Sequence, residues 1–156
     1  MSVRVVVADE SEASFFDVAG IKAPLVPAGK IENVAGRLHD RDLESDRPGR
    51  GHSSTTGVSS ALDGERSARR TEQEHFARRV AAEVEFGRIA QRFDRLVVIA
   101  GPRMLGLLRK ELSPQATKLV AAEVTKDLLH ADTDAIRSYV PRAAFRSTAG
   151  REARFA

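Results

Sequence analysis

Residues 95–112, RLVVIAGPRMLGLLRKEL, decide the fold class of this 156-residue chain. The run from Arg95 to Ala100 is apolar and β-branched, which is typical of a buried strand. Gly101 and Pro102 end that strand, and proline is favoured at the first position of a helix. The methionine and leucines that follow indicate a short helix, which stops before Ser113. A strand followed directly by a helix predicts an α/β protein.

The neighbouring segments predict a mixed sheet around this unit. Leu119 to Val124 reads as a last strand, parallel to the strand at 95–100 and joined to it by a right-handed crossover through the helix. Val3 to Ala8 and Ala13 to Val18 predict two strands of a hairpin, and Leu25 to Val34 predicts a weaker third strand interrupted by proline and glycine. We therefore expect antiparallel N-terminal strands and parallel C-terminal strands with flanking helices.

The helices and one long loop complete a single predicted domain at residues 1–140. Phe76, Val80 and Val84 recur at helical spacing and give one apolar face. Asp132 or Thr133 is suited to cap a final helix that ends before Pro141. From 36 to 67 no period of strand or helix persists, which predicts a long loop. Loops of about thirty residues are usually functional or disordered.

Composition excludes several classes of protein. The chain has no cysteine, so thiol catalysis, thiolate metal sites and disulfides are excluded. It has no apolar run of the ~20 residues that a membrane helix needs. Acidic residues stand where an export signal would place its cleavage site. The sequence therefore predicts a cytoplasmic protein that does not insert into a membrane.

Positive charge is concentrated at the end of the chain. Residues 141–156 contain Arg142, Arg146, Arg151 and Arg154 against Glu152, which accounts for the formal net charge of +3 of the whole chain. The chain has 20 arginines and 5 lysines, and arginine is favoured where phosphate is bound. We expect residues 141–156 to form a flexible basic tail with affinity for nucleic acid.

The loop contains RDLESDRPGRGHSS at residues 41–54, and neither metal nor nucleotide binding fits it. A calcium loop that starts at Asp40 would have Ser45 where glycine is needed and Gly51 where a bidentate glutamate is needed. The chain has no Gly-Lys-Ser/Thr and no G-x-S-x-G sequence, so phosphate loops and serine hydrolase elbows are absent. The sequence predicts no metal and no cofactor.

The same loop has the residue types that RNA binding requires. Arg47 and Arg50 can contact phosphates, and Gly49 and Gly51 let the backbone approach closely. His52 can exchange a proton near neutral pH. A loop without a partner is an alternative, and so is a hydrolase in which His52 and the carboxylate of Asp46 form an acid/base pair.

Several segments together resemble the bacterial host attachment protein family, over a region from the first strand to about Val140. The matching residues are Arg41-Asp42-Leu43, Ser45-Asp46-Arg47-Pro48-Gly49-Arg50, Phe76-Ala77, Phe93-Asp94-x-Leu96-Val97, Ala100-x-Pro102-Arg103-x-Leu105-Gly106-x-Leu108-Arg109 and Lys126-Asp127-Leu128. That family in turn resembles the central domain of archaeal and eukaryotic peptide chain release factors and of Pelota-type rescue factors. The resemblance implies their α/β fold.

In those release factors a Gly-Gly-Gln loop enters the ribosome, and its glutamine helps to position the hydrolytic water. Here the order of strands, loop and helix is the same, but Gly49-Arg50-Gly51-His52 stands in the place of Gly-Gly-Gln. The resemblance therefore implies a loop that faces RNA or the ribosome and does not imply peptidyl-tRNA hydrolysis.

These observations predict a protein that acts on RNA or the ribosome and affects host attachment indirectly. Arg103 and Arg109, which lie in a matching segment, are expected to add to binding; the helix that starts beside Arg103 is also a possible anion site. The hydrolase with His52 and Asp46 and a module that only binds a protein partner stay open as alternatives. The sequence does not decide the oligomeric state.

Overall fold

The structure is a computed structural model that describes residues 1–35 and 55–146, and of residues 55–63 the backbone alone. In chain order the elements are β1 (Val3–Ala8), β2 (Glu12–Val18), β3 (Val26–Glu32), α1 (Thr55–Ile89), β4 (Arg95–Ala100), α2 (Pro102–Glu111), α3 (Pro114–Leu119), β5 (Val120–Thr125), α4 (Thr133–Ser138) and a 3-10 helix (Arg142–Phe145). The strand–helix unit at 95–111 confirms the predicted α/β class.

The strands form a five-stranded mixed sheet in the order β3-β2-β1-β4-β5. β1 pairs antiparallel with β2 and parallel with β4, and β4 pairs parallel with β5. The predicted arrangement is thus confirmed, with the N-terminal meander antiparallel and the C-terminal strands parallel. β1 lies in the centre, and all six of its residues are buried because helices cover both faces of a sheet with parallel strands.

Alternate residues of the central strands fill two cores. Val6 and Ala8 of β1 pack with Phe76, Val80 and the apolar residues of α2 on one face. Val3, Val5 and Val7 pack on the other face with apolar residues of α4 and the 3-10 helix. This alternation follows from the period of two in a strand. The sheet is therefore covered by α1, α2 and α3 on one side and by the C-terminal segment on the other.

The edge strand β3 is mostly exposed and irregular, as its proline and glycine predict. Gly29 has φ of +134°, a conformation that favours glycine, and lies opposite Phe15. The register of the β2–β3 pair shifts between Phe15 and Phe16, which marks a bulge. Pro27 has no N–H to donate. This edge therefore offers a poor template for pairing with another strand.

Helix α1 is 35 residues long, so it extends about 52 Å, whereas a six-residue strand extends about 20 Å. The prediction of a loop from 36 to 67 is wrong for residues 55–67, which are helical. These residues have no apolar period, and most of them, including two glycines, three serines and two threonines, are weak helix formers, so neither pattern nor composition indicates a helix there. The remainder of the predicted loop, residues 36–54, lies outside the described residues.

The C-terminal end of α1 approaches the sheet closely at Gly87. A Cβ atom there would lie 2.6 Å from Nη1 of Arg4 and 3.0 Å from the ring of Phe93. Arg4 is only 3% exposed, lies over the Phe93 ring and donates two hydrogen bonds to Asp17, at 2.9 and 3.1 Å. The missing side chain of Gly87 therefore makes room for a buried, paired arginine under the helix.

The final helix is confirmed, and its cap is Asp132, which accepts a hydrogen bond from the backbone N–H of Ala135 at 2.7 Å. The prediction of a flexible tail from residue 141 onward is wrong for residues 141–146. Ala144 is fully buried and packs in the same core as Val3 and Val97. The 3-10 helix is too short to give a periodic signal, and a small alanine is enough to seal that face. Residues 147–156 lie outside the described residues.

Candidate nucleic-acid interface

Strands β1, β4 and β5 run parallel, so their C-terminal ends meet at one edge of the sheet, here called the carboxyl edge. β3 runs in the same direction as β1, because both are antiparallel to β2. The segment that follows β3, at Asn33 to Ala35, therefore leaves the sheet at this edge as well. In open α/β sheets, ligands bind in the crevice outside the carboxyl ends of the strands.

Helix α1 passes beyond the carboxyl edge. Near its C-terminal end, Gly87 lies against Arg4, close to the start of β1. Eight residues earlier, Nη1 of Arg79 donates a hydrogen bond to the carbonyl of Glu32 at the end of β3, at 3.4 Å. The helix therefore lies over the sheet between these two residues, which are about 12 Å apart along its axis. From Arg79 back to Gly64 it continues for about 22 Å at 1.5 Å per residue.

One face of α1 changes character where the helix leaves the sheet. Ala77, Val80 and Val84 are buried against the sheet at spacings of three and four residues. The same spacing, continued toward the N-terminus, passes through Gln73 and Arg70 to Arg66, with Arg69 beside them. Arg66, Arg69 and Arg70, here called the arginine face, therefore lie on the side of α1 that faces the space outside the carboxyl edge.

The side chains of the arginine face are accessible to solvent. Arg66 and Arg70 are exposed and Arg69 is partly exposed. Within the part of the chain that the structure describes, none of the three has an ion pair, a hydrogen bond or a ring contact. Arginines three and four residues apart are about 5–6 Å from one another at Cβ and repel each other when unpaired. Glu65, Glu72 and Glu74 lie in the same turns of the helix, so the positive charge is local to the arginine face and is not a net charge of the segment.

Gln73 stands where the packed face ends and the arginine face begins. Its side chain is 3% exposed, and neither its amide nitrogen nor its amide oxygen has a hydrogen-bond partner among the described residues. Leaving a buried polar group without a partner costs about 1–3 kcal/mol. The polar character of α1 thus begins one turn before the helix clears the sheet.

The start of α2 borders the same edge. Gly101, at the end of β4, is the N-cap residue and no side chain caps this helix, while Pro102 occupies its first turn. An uncapped helix start leaves backbone N–H groups free and carries a partial positive charge, which favours anions. Arg103 is exposed in this turn and has no partner among the described residues. Arg103, predicted as a binding residue, therefore lies at the carboxyl edge.

Comparison with known proteins adds a family to this geometry. Residues 4–140 match the family described as protein required for attachment to host cells. The chain belongs to this family. The resemblance inferred from its motifs is thereby confirmed.

One relative of this host attachment family chain is an uncharacterized protein of Rickettsia prowazekii (strain Madrid E). The two are 29% identical over 138 residues, which cover 87% of this chain and 90% of the relative. Among solved structures, the chain is similar to an archaeal translation termination factor at 11% identity and a TM-score of 0.48, and to another archaeal protein at 12% and 0.48. In both cases the match covers 99% of this chain and spans 39% of the solved one.

Arg109, the other predicted binding residue on α2, is engaged within the fold. Its Nε donates a hydrogen bond to Oε2 of Glu123 on β5 at 2.7 Å, and Nη2 also contacts that oxygen. The hydrogen bonds to Glu123 raise the pKa of Arg109 above its usual value. Arg103 and Arg109 are six residues apart on α2, so they do not share one face of the helix. A ligand that bound Arg109 would compete with Glu123.

The other predicted site residues of the host attachment family chain lie outside the described residues. They are Asp46, Arg47, Gly49, Arg50, Gly51 and His52. The acid/base pair of His52 with Asp46 therefore stays a prediction. Sequence reasoning missed the arginine face, although the spacing from Arg66 through Arg70, Gln73 and Ala77 was visible as a continuation of the apolar stripe.

Two further properties concern the described residues only. Across residues 1–35 and 55–146, no cluster of three or more histidine, aspartate or glutamate side chains is arranged to hold a metal ion. In the same residues, no helix has both the length and the apolar character needed to cross a membrane.

Proposed function

We propose that this host attachment family protein binds RNA, alone or in the ribosome, through phosphate contacts at the carboxyl edge of its sheet. The observation that carries the proposal is the arginine face: three arginines without partners among residues 1–35 and 55–146, on the side of α1 that faces this edge. Guanidinium groups match phosphate oxygens in a bidentate geometry, and such contacts dominate the affinity of proteins for nucleic acid.

Two neighbouring features support the same reading. Arg103 and the uncapped start of α2 supply further positive potential at the same edge of the sheet. The predicted binding residues Arg47, Gly49, Arg50 and Gly51 precede α1 by only a few residues in the chain, and α1 begins at Thr55. The proposal thus joins the loop predicted from sequence to a surface that the fold provides.

The proposal places this activity in the cytoplasm and makes the effect on host attachment indirect. The protein would act on RNA or on ribosomes that produce surface components, and it would not itself contact the host cell. Its chemistry is binding by charge, so no step of bond cleavage is assigned to it.

Salt-dependent RNA binding tests the proposal. We expect the full chain to bind a labelled single-stranded RNA and to sediment with ribosomes at low salt, and both to weaken as salt rises. The variant R66Q/R69Q/R70Q should lose most of this affinity, and its salt slope should fall by about 2, since each single-strand phosphate contact contributes about 0.7. Circular dichroism should show an unchanged fold, because these side chains are not part of the core.

A matched control carries the same loss of charge elsewhere. The variant R92Q/K110Q/K118Q also removes three positive charges, but these follow or lie near the C-terminal ends of α1, α2 and α3. We expect this control to bind RNA almost as well as the unchanged chain. An equal loss of RNA affinity in the two variants would show that only net charge matters, and would contradict the proposal. Full RNA affinity in R66Q/R69Q/R70Q would also overturn it.

A further inference from the structure

A second surface lies at the opposite end of the sheet, where β1 begins and β2 ends. The segment from Ile21 to Ala23, which follows β2, forms one wall of a groove of about 660 Å³. The other wall is the chain from Asp134 to Phe145, which covers the sheet face opposite α1. A hollow of about 450 Å³ beside Ile21 and Phe145 extends the groove to Met1. We call the two together the basic groove.

The walls of the basic groove are fixed by Arg137. Its Nε donates a hydrogen bond to the carbonyl of Ala23 at 3.0 Å, and its Nη2 donates to the carbonyl of Ile21. Its guanidinium also lies over the ring of Phe145, 5.4 Å from the ring centre. One side chain thus ties the two walls together. A groove that is already formed loses less entropy when it binds a partner.

The charges in the groove are unequal. Lys22 and Arg142 line it, both are exposed, and neither has a partner in residues 1–35 and 55–146. Arg137 adds a third positive charge, against which Asp134 is the single carboxylate among the lining residues. The groove therefore favours a ligand with negative charge.

Apolar side chains lie between these charges. Ile21 is 51% exposed at the lip, Met1 is 45% exposed at the end of the hollow, and Val140, Pro141 and Phe145 line the walls. Exposed large apolar side chains with charged neighbours are typical of protein-binding surfaces. A ligand that fits must offer an apolar group together with its carboxylates.

We propose that the basic groove binds an acidic segment of a protein partner, with a large apolar side chain next to its aspartates or glutamates. Lys22 and Arg142 pair with the carboxylates, and the apolar side chain packs against Ile21 and Met1, the exposed apolar residues of the hollow. This surface is separate from the proposed RNA interface, because it lies at the opposite end of the strands. The proposal gives the chain a protein-binding role that does not depend on RNA.

Two other occupants fit the groove less well. RNA binds aromatic surfaces by stacking its bases, but the Phe145 ring is already covered by Arg137. The chain's own residues 147–156 contain Arg151 and Arg154 against Glu152, so their charge does not complement that of the groove. An acidic, partly apolar peptide is the class that satisfies both the charges and the apolar lining.

Selection from a random peptide library displayed on phage tests the proposal on the full chain. We expect selected peptides to place aspartate or glutamate beside leucine, isoleucine, phenylalanine or tryptophan. Fluorescence anisotropy should show that K22E/R142E lowers the affinity of these peptides at least about tenfold, because like charges then face each other. I21S should weaken binding while preserving its dependence on salt.

The control K110E/K118E reverses two charges outside the groove and should bind the selected peptides as the unchanged chain does. Selection of no peptide, selection of peptides without acidic residues, or full binding by K22E/R142E would overturn the proposal. A loss of RNA binding in K22E/R142E as large as in R66Q/R69Q/R70Q would also overturn it, since the groove would then be part of the RNA surface. If only R66Q/R69Q/R70Q loses RNA binding, the proposal of peptide binding by the basic groove stands.

Discussion

The two halves of α1 share one helix and one stripe of residues but differ in what that stripe meets. In the packed half, residues 73–87, the stripe is buried in the core, and the charged group beneath it, Arg4, is paired with Asp17. In the free half, residues 64–72, the stripe carries Arg66, Arg69 and Arg70, which have no partner within the part of the chain that the structure describes. The comparison teaches that the sheet, and not the helix, determines where apolar residues are needed.

The largest effect is expected when an arginine, the residue type that the free half carries, replaces a buried residue of the packed half. In Val80→Arg, a charge without a partner replaces a fully buried side chain in the main core. We expect the free energy of unfolding to fall by more than about 4 kcal/mol, or the chain to fail to fold.

Urea unfolding followed by circular dichroism measures this difference. The control Ala68→Arg adds the same side chain at an exposed position of the free half and should stay within about 0.5 kcal/mol of the unchanged chain. Equal stability of the two variants would show that the two halves do not differ in packing.

A smaller effect is expected when the buried arginine of the packed half loses its partner. In Asp17→Ala, Arg4 stays under Gly87 with its charge uncompensated. We expect a loss of about 2–3 kcal/mol, below the usual range for a buried pair because Asp17 is 34% exposed.

A double-mutant cycle with Arg4→Met checks that prediction, because removing both charges should restore part of the stability. Glu123→Ala is a matched control, since it removes the carboxylate from the exposed pair with Arg109 and should cost less than about 1 kcal/mol. Similar losses in Asp17→Ala and Glu123→Ala would contradict the importance of burial.

The smallest effect concerns the hydrogen bonds and ion pair of Glu85 at the end of the packed half. Glu85 forms an ion pair with Arg88 and accepts a hydrogen bond from Oγ of Ser113 at 2.7 Å, and the same Oγ caps α3 by accepting from the N–H of Ala116. The hydrogen bonds from Arg88 and Ser113 lower the pKa of Glu85 to about 2 from 4.5.

The pH dependence of stability follows from that direction. Because the folded pKa is lowered, the carboxylate stabilises the fold above pH 4.5 and this contribution is lost as the pH falls to about 2. We expect about 1 kcal/mol, since the pair is partly exposed to solvent. The difference in stability between the unchanged chain and Glu85→Gln, measured by urea unfolding, should therefore shrink over this range. A constant difference would contradict the assignment.

The elements whose residues are buried by packing could be predicted from the sequence, and those without such a pattern were missed. β1, β4 and the turn at Gly101-Pro102 were predictable because a strand buried on both faces leaves a continuous apolar run. The start of α1 at Thr55 was not, because residues 55–67 have no apolar period and are mostly weak helix formers. Ala144 was missed for a related reason, since a single small residue closes the core there without a pattern.

The candidate site divides in the same way. Arg103 was named because it adjoins a strong strand–helix signal, and it lies at the carboxyl edge. Arg66, Arg69 and Arg70 were missed because charged residues on a helix usually indicate a solvated surface. Their position becomes informative only when the edge of the sheet is known. No local sequence motif shows that α1 extends farther than the strands do.

The length of α1 beyond its packed residues has a mechanical consequence. The segment of α1 from Phe76 to Gly87 is packed against the sheet, and at its end Gly87 lies against Arg4 and Phe93. A small change in the angle of this packed segment displaces residues 64–72 farther than the packed residues themselves. The packing of this whole segment, in which Gly87 allows the close approach to Arg4, therefore sets the direction of the arginine face.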